Sequence, residues 1–152
     1  MEFSEIVPGM TAEIRRTVTD ADVVLFAGVT GDMNPAHLDA VAAERTRFGA
    51  RVAHGMLCAG YISAVLGMKL PGPGVIYMGQ SLRFMKPVFI GDTVTARVEV
   101  LSVVGDKRRV QLATRCFNQK GEQVLDGEAL VWVPEDPDVG AGAVAGAAVA
   151  GT

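Results

Sequence analysis

Residues 56–70 read Met56-Leu57-Cys58-Ala59-Gly60-Tyr61-Ile62-Ser63-Ala64-Val65-Leu66-Gly67-Met68-Lys69-Leu70, apolar on nearly every face. A helix that lacks a polar face is one the rest of the chain encloses on all sides. At ~1.5 Å per residue it would be about 22 Å long, enough to lie across five strands spaced ~4.8 Å apart. Pro71-Gly72-Pro73-Gly74 then stops it. Five segments supply the strands. Residues 93–100 alternate without exception, with Val94, Ala96, Val98 and Val100 opposite Thr93, Thr95, Arg97 and Glu99. Residues 11–18 (Ala12, Ile14 and Val18 on one face) and 109–117 (Val110, Leu112 and Cys116 on one face) alternate with interruptions, and residues 75–85 and 123–133 are rich in Val, Leu, Phe, Tyr and Trp. Faces of unlike character point to antiparallel pairing. Turn chemistry at Gly91-Asp92, Gly105-Asp106 and Gln119-Lys120-Gly121-Glu122 makes the last three strands a meander. The expected architecture is α+β, a five-stranded antiparallel sheet wrapped around one long helix.

A second helix is expected over residues 20–30, opened by the N-cap signal Thr19-Asp20-Ala21-Asp22. Residues 1–134 form one domain on this reading. Residues 135–152 turn to a Gly/Ala/Val tract without alternation, which predicts a flexible tail. The 152-residue chain has 14 Lys and Arg against 17 Asp and Glu, a net charge of −3. That balance carries no footprint for nucleic acid. The tightest basic cluster, Lys107-Arg108-Arg109, lies between two strands, where it is either a solvated hairpin end or a contact for an anionic ligand. The longest uncharged apolar run, Gly55 to Met68, is shorter than the ~17–25 residues that span a bilayer. No leader-like segment is read in Met1-Glu2-Phe3-Ser4-Glu5, and Cys58 and Cys116 lack metal-ligand spacing. A cytoplasmic protein with reduced thiols is expected.

The chemistry concentrates in Gly31-Asp32-Met33-Asn34-Pro35-Ala36-His37. Gly31 ends the preceding helix, and Asn34-Pro35 enforces a turn. Such a turn can aim Asp32 and His37 at one point, where a carboxylate and an imidazole could share a water and move its protons. The same residues could equally be a turn-capping Asp and a hydrogen-bonded surface His. The other histidine, His54, precedes Gly55 at the start of the long helix. Unpaired N–H groups there suit a developing oxyanion, and Gly55 permits close approach. Ser63, the one hydroxyl in mid-helix, either bonds back to its own helix or serves the site. Asp32, His37 and Asp39 could be imagined around a metal, but no second His or Cys stands near them in sequence, so no metal is expected.

These stretches resemble the hydratase-2 motif of the (R)-specific enoyl-CoA hydratases, the MaoC-like dehydratases. The resemblance continues through Phe48-Gly49, Val52-Ala53-His54-Gly55-Met56-Leu57 and Phe84-Met85-Lys86-Pro87-Val88-Phe89-Ile90-Gly91-Asp92-Thr93, and spans about residues 10–134. It implies a dimeric hotdog fold acting on trans-2-enoyl-CoA by reversible addition of water, with the CoA thioester as substrate and no cofactor. Asp32 and His37 would activate the water and the Gly55 N–H would polarise the thioester carbonyl. Asn34 would hold the loop, and Ser63 would stand near Asp32. On this reading Leu57, Tyr61 and Val65 are candidates for the acyl wall. Arg83, Lys86 and Lys107 to Arg109 are candidates for the CoA phosphates. Three rivals share the fold. They are a dehydratase of 3-hydroxyacyl carrier-protein or branched 3-hydroxyacyl-CoA substrates, an acyl-CoA thioesterase, and a non-catalytic acyl-CoA-binding protein. The absence of Asp and Glu from residues 56–70 counts against the thioesterase, and intact Asp32, His37 and Gly55 count against the binding protein. The fold alone decides none of these.

Overall fold

The computed structural model describes residues 1–135, so the expected tail lies almost wholly outside the described residues. After a 3-10 turn at Phe3–Glu5 come strand β1 (Thr11–Thr17) and helix α1 (Asp20–Thr30). Two short helices follow, α2 (Pro35–Leu38) and α3 (Ala40–Glu44), and then the long helix α4 (Gly55–Met68). Strands β2 (Ile76–Phe84), β3 (Thr93–Val104), β4 (Arg109–Phe117) and β5 (Gln123–Trp132) complete the chain. The sheet order is β1-β3-β4-β5-β2, antiparallel throughout. With α4 seated on its concave side, this is the hotdog architecture expected from the sequence.

The alternation in β3 does what its pattern dictates. Val94, Ala96, Val98 and Val100 are all buried, as are Val110, Leu112 and Cys116 of β4 and Leu125, Ala129 and Val131 of β5. Against them α4 turns Cys58, Tyr61, Ile62, Val65 and Leu66. β3 runs past the expected end at residue 100 because a register shift between Val100 and Ser102 absorbs one residue and pairing resumes to Val104.

Two expectations need correction. α4 is not enclosed on all sides in this chain: Met56, Gly60, Ser63 and Met68 lie on an exposed stripe. The helix is apolar on both faces, so hydropathy gives no direction, and only one face can meet the sheet. The Lys107–Arg109 cluster divides between structural and surface roles. Arg108, held at φ 49°, folds back so that Nε donates to Val133 O at 2.7 Å and Nη2 to Pro134 O at 2.9 Å. Its guanidinium also covers the Phe3 ring at 4.9 Å, so it ties Phe3 and the residues after β5 to the hairpin. Lys107 and Arg109 border a surface recess beside Ile76, Met78 and Trp132, away from the residues described next.

Candidate active site

α1 carries the chain to the site. Thr19 caps it, with Asp22 N donating to Thr19 Oγ1 at 3.2 Å and Thr19 N donating back to Asp22 at 2.8 Å. It ends at Gly31, whose φ of 79° places the αL residue that lets its N–H reach Ala27 O. Asp32 then begins a chain of local bonds. Its Oδ1 accepts from Asn34 N at 3.3 Å, and Asn34 Oδ1 accepts from Ala36 N at 3.0 Å, capping α2 with Pro35 in its first turn. The turn-capping role is therefore real for both residues. It leaves Asp32 Oδ2 uncommitted, on a side chain 52% exposed.

His37 stands on α2 with Nδ1 at 2.7 Å from Val52 O. A carbonyl can only accept, so Nδ1 carries the proton and Nε2 of the neutral ring keeps its lone pair. His54, 2% exposed, lies against it: the two rings stack at 3.8 Å between centroids and 30° between planes. His54 Nε2 donates to the Asp32 main-chain carbonyl at 3.0 Å and lies 4.0 Å from Asp32 Oδ2. Phe26 closes the other side, its ring 4.7 Å from that of His54. Arg51 completes the frame, donating from Nε to His37 O at 2.6 Å while Nη1 meets Asp20 at 2.7 Å. Neither His54 nor Arg51 is assigned a role by the sequence alone. The only signal for His54 is its place before Gly55.

Folding thus gathers ligating atoms of Asp32, His37 and His54 within 4.8 Å of one another. The expectation that no second histidine joins the pair is corrected, since the second imidazole arrives from the start of α4. His54 Nε2 and His37 Nδ1 are already spent on carbonyls and Asp32 Oδ1 on Asn34 N, which leaves His37 Nε2, Asp32 Oδ2 and the buried His54 Nδ1 without hydrogen-bond partners among the described residues. An imidazole nitrogen and a carboxylate oxygen left open in this way are suited to moving protons. At the head of α4, His54 gives no side-chain cap, and the Gly55 N–H meets no acceptor among the described residues. It is the open donor that the sequence predicts there. A Cβ on Gly55 would lie 2.7 Å from the Phe84 ring, so glycine lets that ring close over the helix terminus.

A cleft of about 400 Å³ opens here, lined by Asn34, His37 and Gly55 and walled by Phe84, Cys58 and Leu125. Asp32 is not among its lining residues, but its carboxylate lies within 4.8 Å of a ligating atom of His37 and one of His54. Burial pushes the Cys58 thiol up to about 11, so that it is no nucleophile near neutral pH. Leu57, Tyr61 and Val65, the expected acyl wall, lie outside the lining of this cleft. Tyr61 and Val65 lie on the face of α4 packed against the sheet, and Leu57 packs at the edge of the same core. Ser63 lies on the exposed stripe and makes no hydrogen bond to Asp32. Arg83 is paired with Asp126 at 2.7 Å and lies outside the cleft lining, whereas Lys86 lines it but is held by Glu122 at 2.5 Å.

The chain matches the MaoC like domain over residues 4–120. It is 51% identical over 132 residues to an (R)-specific enoyl-CoA hydratase of Rhodospirillum rubrum, covering 87% of this chain and 91% of that protein. It is 50% identical over 133 residues to a 3-hydroxybutyryl-CoA dehydratase of Methylorubrum extorquens, covering 88% and 84%. Among solved structures, the unliganded R-hydratase PhaJ1 from Pseudomonas aeruginosa superposes with a TM-score of 0.85 at 49% identity, over 89% of this chain and 86% of that one. With half its residues shared over nearly all its length, and the motif residues Asp32, Asn34 and His37 in one turn, the chain belongs to the MaoC-like dehydratase family.

Proposed function

We propose that this protein is an (R)-specific enoyl-CoA hydratase, adding water reversibly to trans-2-enoyl-CoA to give (R)-3-hydroxyacyl-CoA. The observation that carries the reading is the contact of His37 Nδ1 with Val52 O. With Nδ1–H committed to Val52 O, Nε2 keeps its lone pair, and a ligating atom of His37 lies within 4.8 Å of one from the Asp32 carboxylate and one from His54. His37 and Asp32 take a proton from the water as its oxygen bonds to C3. The electrons of the C2–C3 double bond move onto the thioester oxygen, where the Gly55 N–H carries the enolate charge. A proton then returns to C2 on the same face, giving syn addition. Acid–base groups of this kind contribute ~10²–10⁴ in rate and one oxyanion donor ~10²–10³. Nothing is oxidised or reduced, so the reaction asks for no redox cofactor, and the CoA thioester is itself the substrate.

The working form on this reading is a homodimer in the cytoplasm. β2 is an edge strand paired only with β5, and it exposes Ile76, Tyr77, Met78 and Phe84, an apolar edge suited to a second copy. No helix among the described residues is long and apolar enough to cross a membrane. The thioesterase alternative loses support from the unreactive Cys58 and the absence of any carboxylate on α4. A carrier-protein dehydratase would use the same side chains. The deciding experiment follows the loss of enoyl-thioester absorbance with crotonyl-CoA and crotonyl carrier protein, with chiral chromatography of the product. Faster hydration of the CoA thioester to the (R)-alcohol is expected. An (S)-product, or thioester cleavage without hydration, would reject the assignment.

A further inference from the structure

The cleft beside His37 is unusual in its charge. The chain as a whole is acidic, at −3, yet Arg47 and Lys86 line the cleft and no Asp or Glu does. These two cations are not equivalent. Lys86 Nζ is already held by Glu122, and the hydrogen bond from Lys86 keeps that carboxyl below its ordinary range. Arg47 has no carboxylate partner among the described residues. Its guanidinium lies over the Phe48 ring, 5.0 Å from the centroid. Stacking of this kind satisfies the face of a guanidinium and leaves its in-plane N–H groups free, which is the geometry that grips a phosphate with two parallel bonds. The backbone beneath it is fixed: Thr46 Oγ1 donates to Ala43 O at 2.7 Å and accepts from Phe48 N at 3.2 Å.

We propose that Arg47, rather than Arg83 or Lys86, is the residue that binds a phosphate of the CoA head group and so selects phosphorylated thioesters over bare pantetheine ones. This inference rests on the hydratase reading, because it takes the cleft to be the route by which the thioester reaches His37 and Gly55. A phosphate at Arg47 would hold substrate without touching the reacting atoms, so its loss should appear in KM and not in kcat.

The test compares the unmodified protein with Arg47→Gln and Arg47→Lys on crotonyl-CoA, crotonyl-3′-dephospho-CoA and crotonyl-pantetheine. Arg47→Gln should raise KM for crotonyl-CoA about 10-fold at unchanged kcat, as expected for a lost charge-assisted bond. It should leave crotonyl-pantetheine unaffected, and Arg47→Lys should fall between. If the penalty persists with the dephospho thioester, the contact is to the diphosphate; if it vanishes there, the contact is to the 3′-phosphate. Either result supports the proposal. An unchanged KM for crotonyl-CoA, or an equal rise for the pantetheine thioester, would overturn it. Calorimetric titration with free CoA and free pantetheine asks the same question without turnover. If neither thioester is hydrated, the hydratase reading fails; if Arg47→Gln also leaves CoA affinity intact, the phosphate contact fails separately.

Discussion

The β2–β5 pair of the sheet and the segment from Thr30 to Gly55 are held in different ways. In the sheet, position is set by close packing of main chain and apolar faces. Gly127 of β5 has the Ser81 carbonyl oxygen 1.9 Å from where a Cβ would sit, and neither partner can swing aside. At the head of α4, a Cβ on Gly55 would meet only the Phe84 ring, whose side chain is exposed and can rotate. Around the site, position is set by single hydrogen bonds to carbonyls: His37 on Val52, His54 on Asp32, Arg51 on His37. One region tolerates almost no change of shape, and the other tolerates shape changes better than the loss of a polar atom.

The sharpest break of that comparison is a pair of glycine substitutions. Gly127→Ala should separate β2 from β5 and cost about 3 kcal/mol or more in chemical denaturation, as forced overpacking against backbone does. Gly55→Ala should cost under about 1 kcal/mol in the same measurement, since only a ring must turn. Its effect should fall on KM, because the displaced Phe84 narrows the cleft. Equal stability losses would mean the two regions are built alike.

His54 tests the polar half. Its ring both stacks on His37 and donates to the Asp32 carbonyl. His54→Phe keeps a stacking ring and His54→Gln keeps a donor. Each should lower kcat on the order of 10-fold with little change in KM, as loss of an orienting partner does. A variant with full kcat would show that the corresponding contact is only packing.

Removing the α1 cap should have a smaller effect. Thr19→Ala should cost about 1 kcal/mol in thermal or denaturant unfolding. The backbone and side-chain bonds from Thr19 also hold the Asp22 carboxyl below its ordinary value of 3.8. The stabilisation from Asp22 is therefore present above that value and is lost as pH falls through the lower folded one. The unmodified protein should lose this stability on acidification, and Thr19→Ala should flatten the loss only in part, because the larger contribution, the Thr19 backbone N–H, remains. The smallest effect is expected at Ser63, which lies on the exposed stripe of α4 without a bond to Asp32. Ser63→Ala should change kcat by less than about 3-fold, and a loss comparable to that of Asp32→Asn would place its hydroxyl in the site.

What the sequence made legible follows the same division. The strict alternation of residues 93–100 announces β3 and its buried face, and Thr19 and Gly31 mark both ends of α1. Asp32, His37 and Gly55 stand out because turn and helix-start chemistry is local, but local chemistry left capping and surface roles equally open, and their proposed roles come from the resemblance. The direction of α4 could not be read, because both its faces are apolar and only the sheet decides which is covered. Nor could the stacking of His54 on His37, which joins residues 17 positions apart once Val52 bridges to Phe89 and Arg51 grips His37. The pairing of the cations was hidden for a related reason. Arg83 and Lys86 look available in sequence, but cross-strand register hands them Asp126 and Glu122, while Arg47 is left beside the cleft.

The central claim is that Asp32 and His37 act on one water. The most direct measurement is a double-mutant cycle on crotonyl-CoA hydration, with Asp32→Asn, His37→Gln and both together, each checked for native fold. Each single change should lower kcat/KM at least ~10²-fold, and the double variant should fall little below the worse single, because groups that act as a unit are not additive. Full activity in either single variant, or losses that multiply in the double, would contradict it.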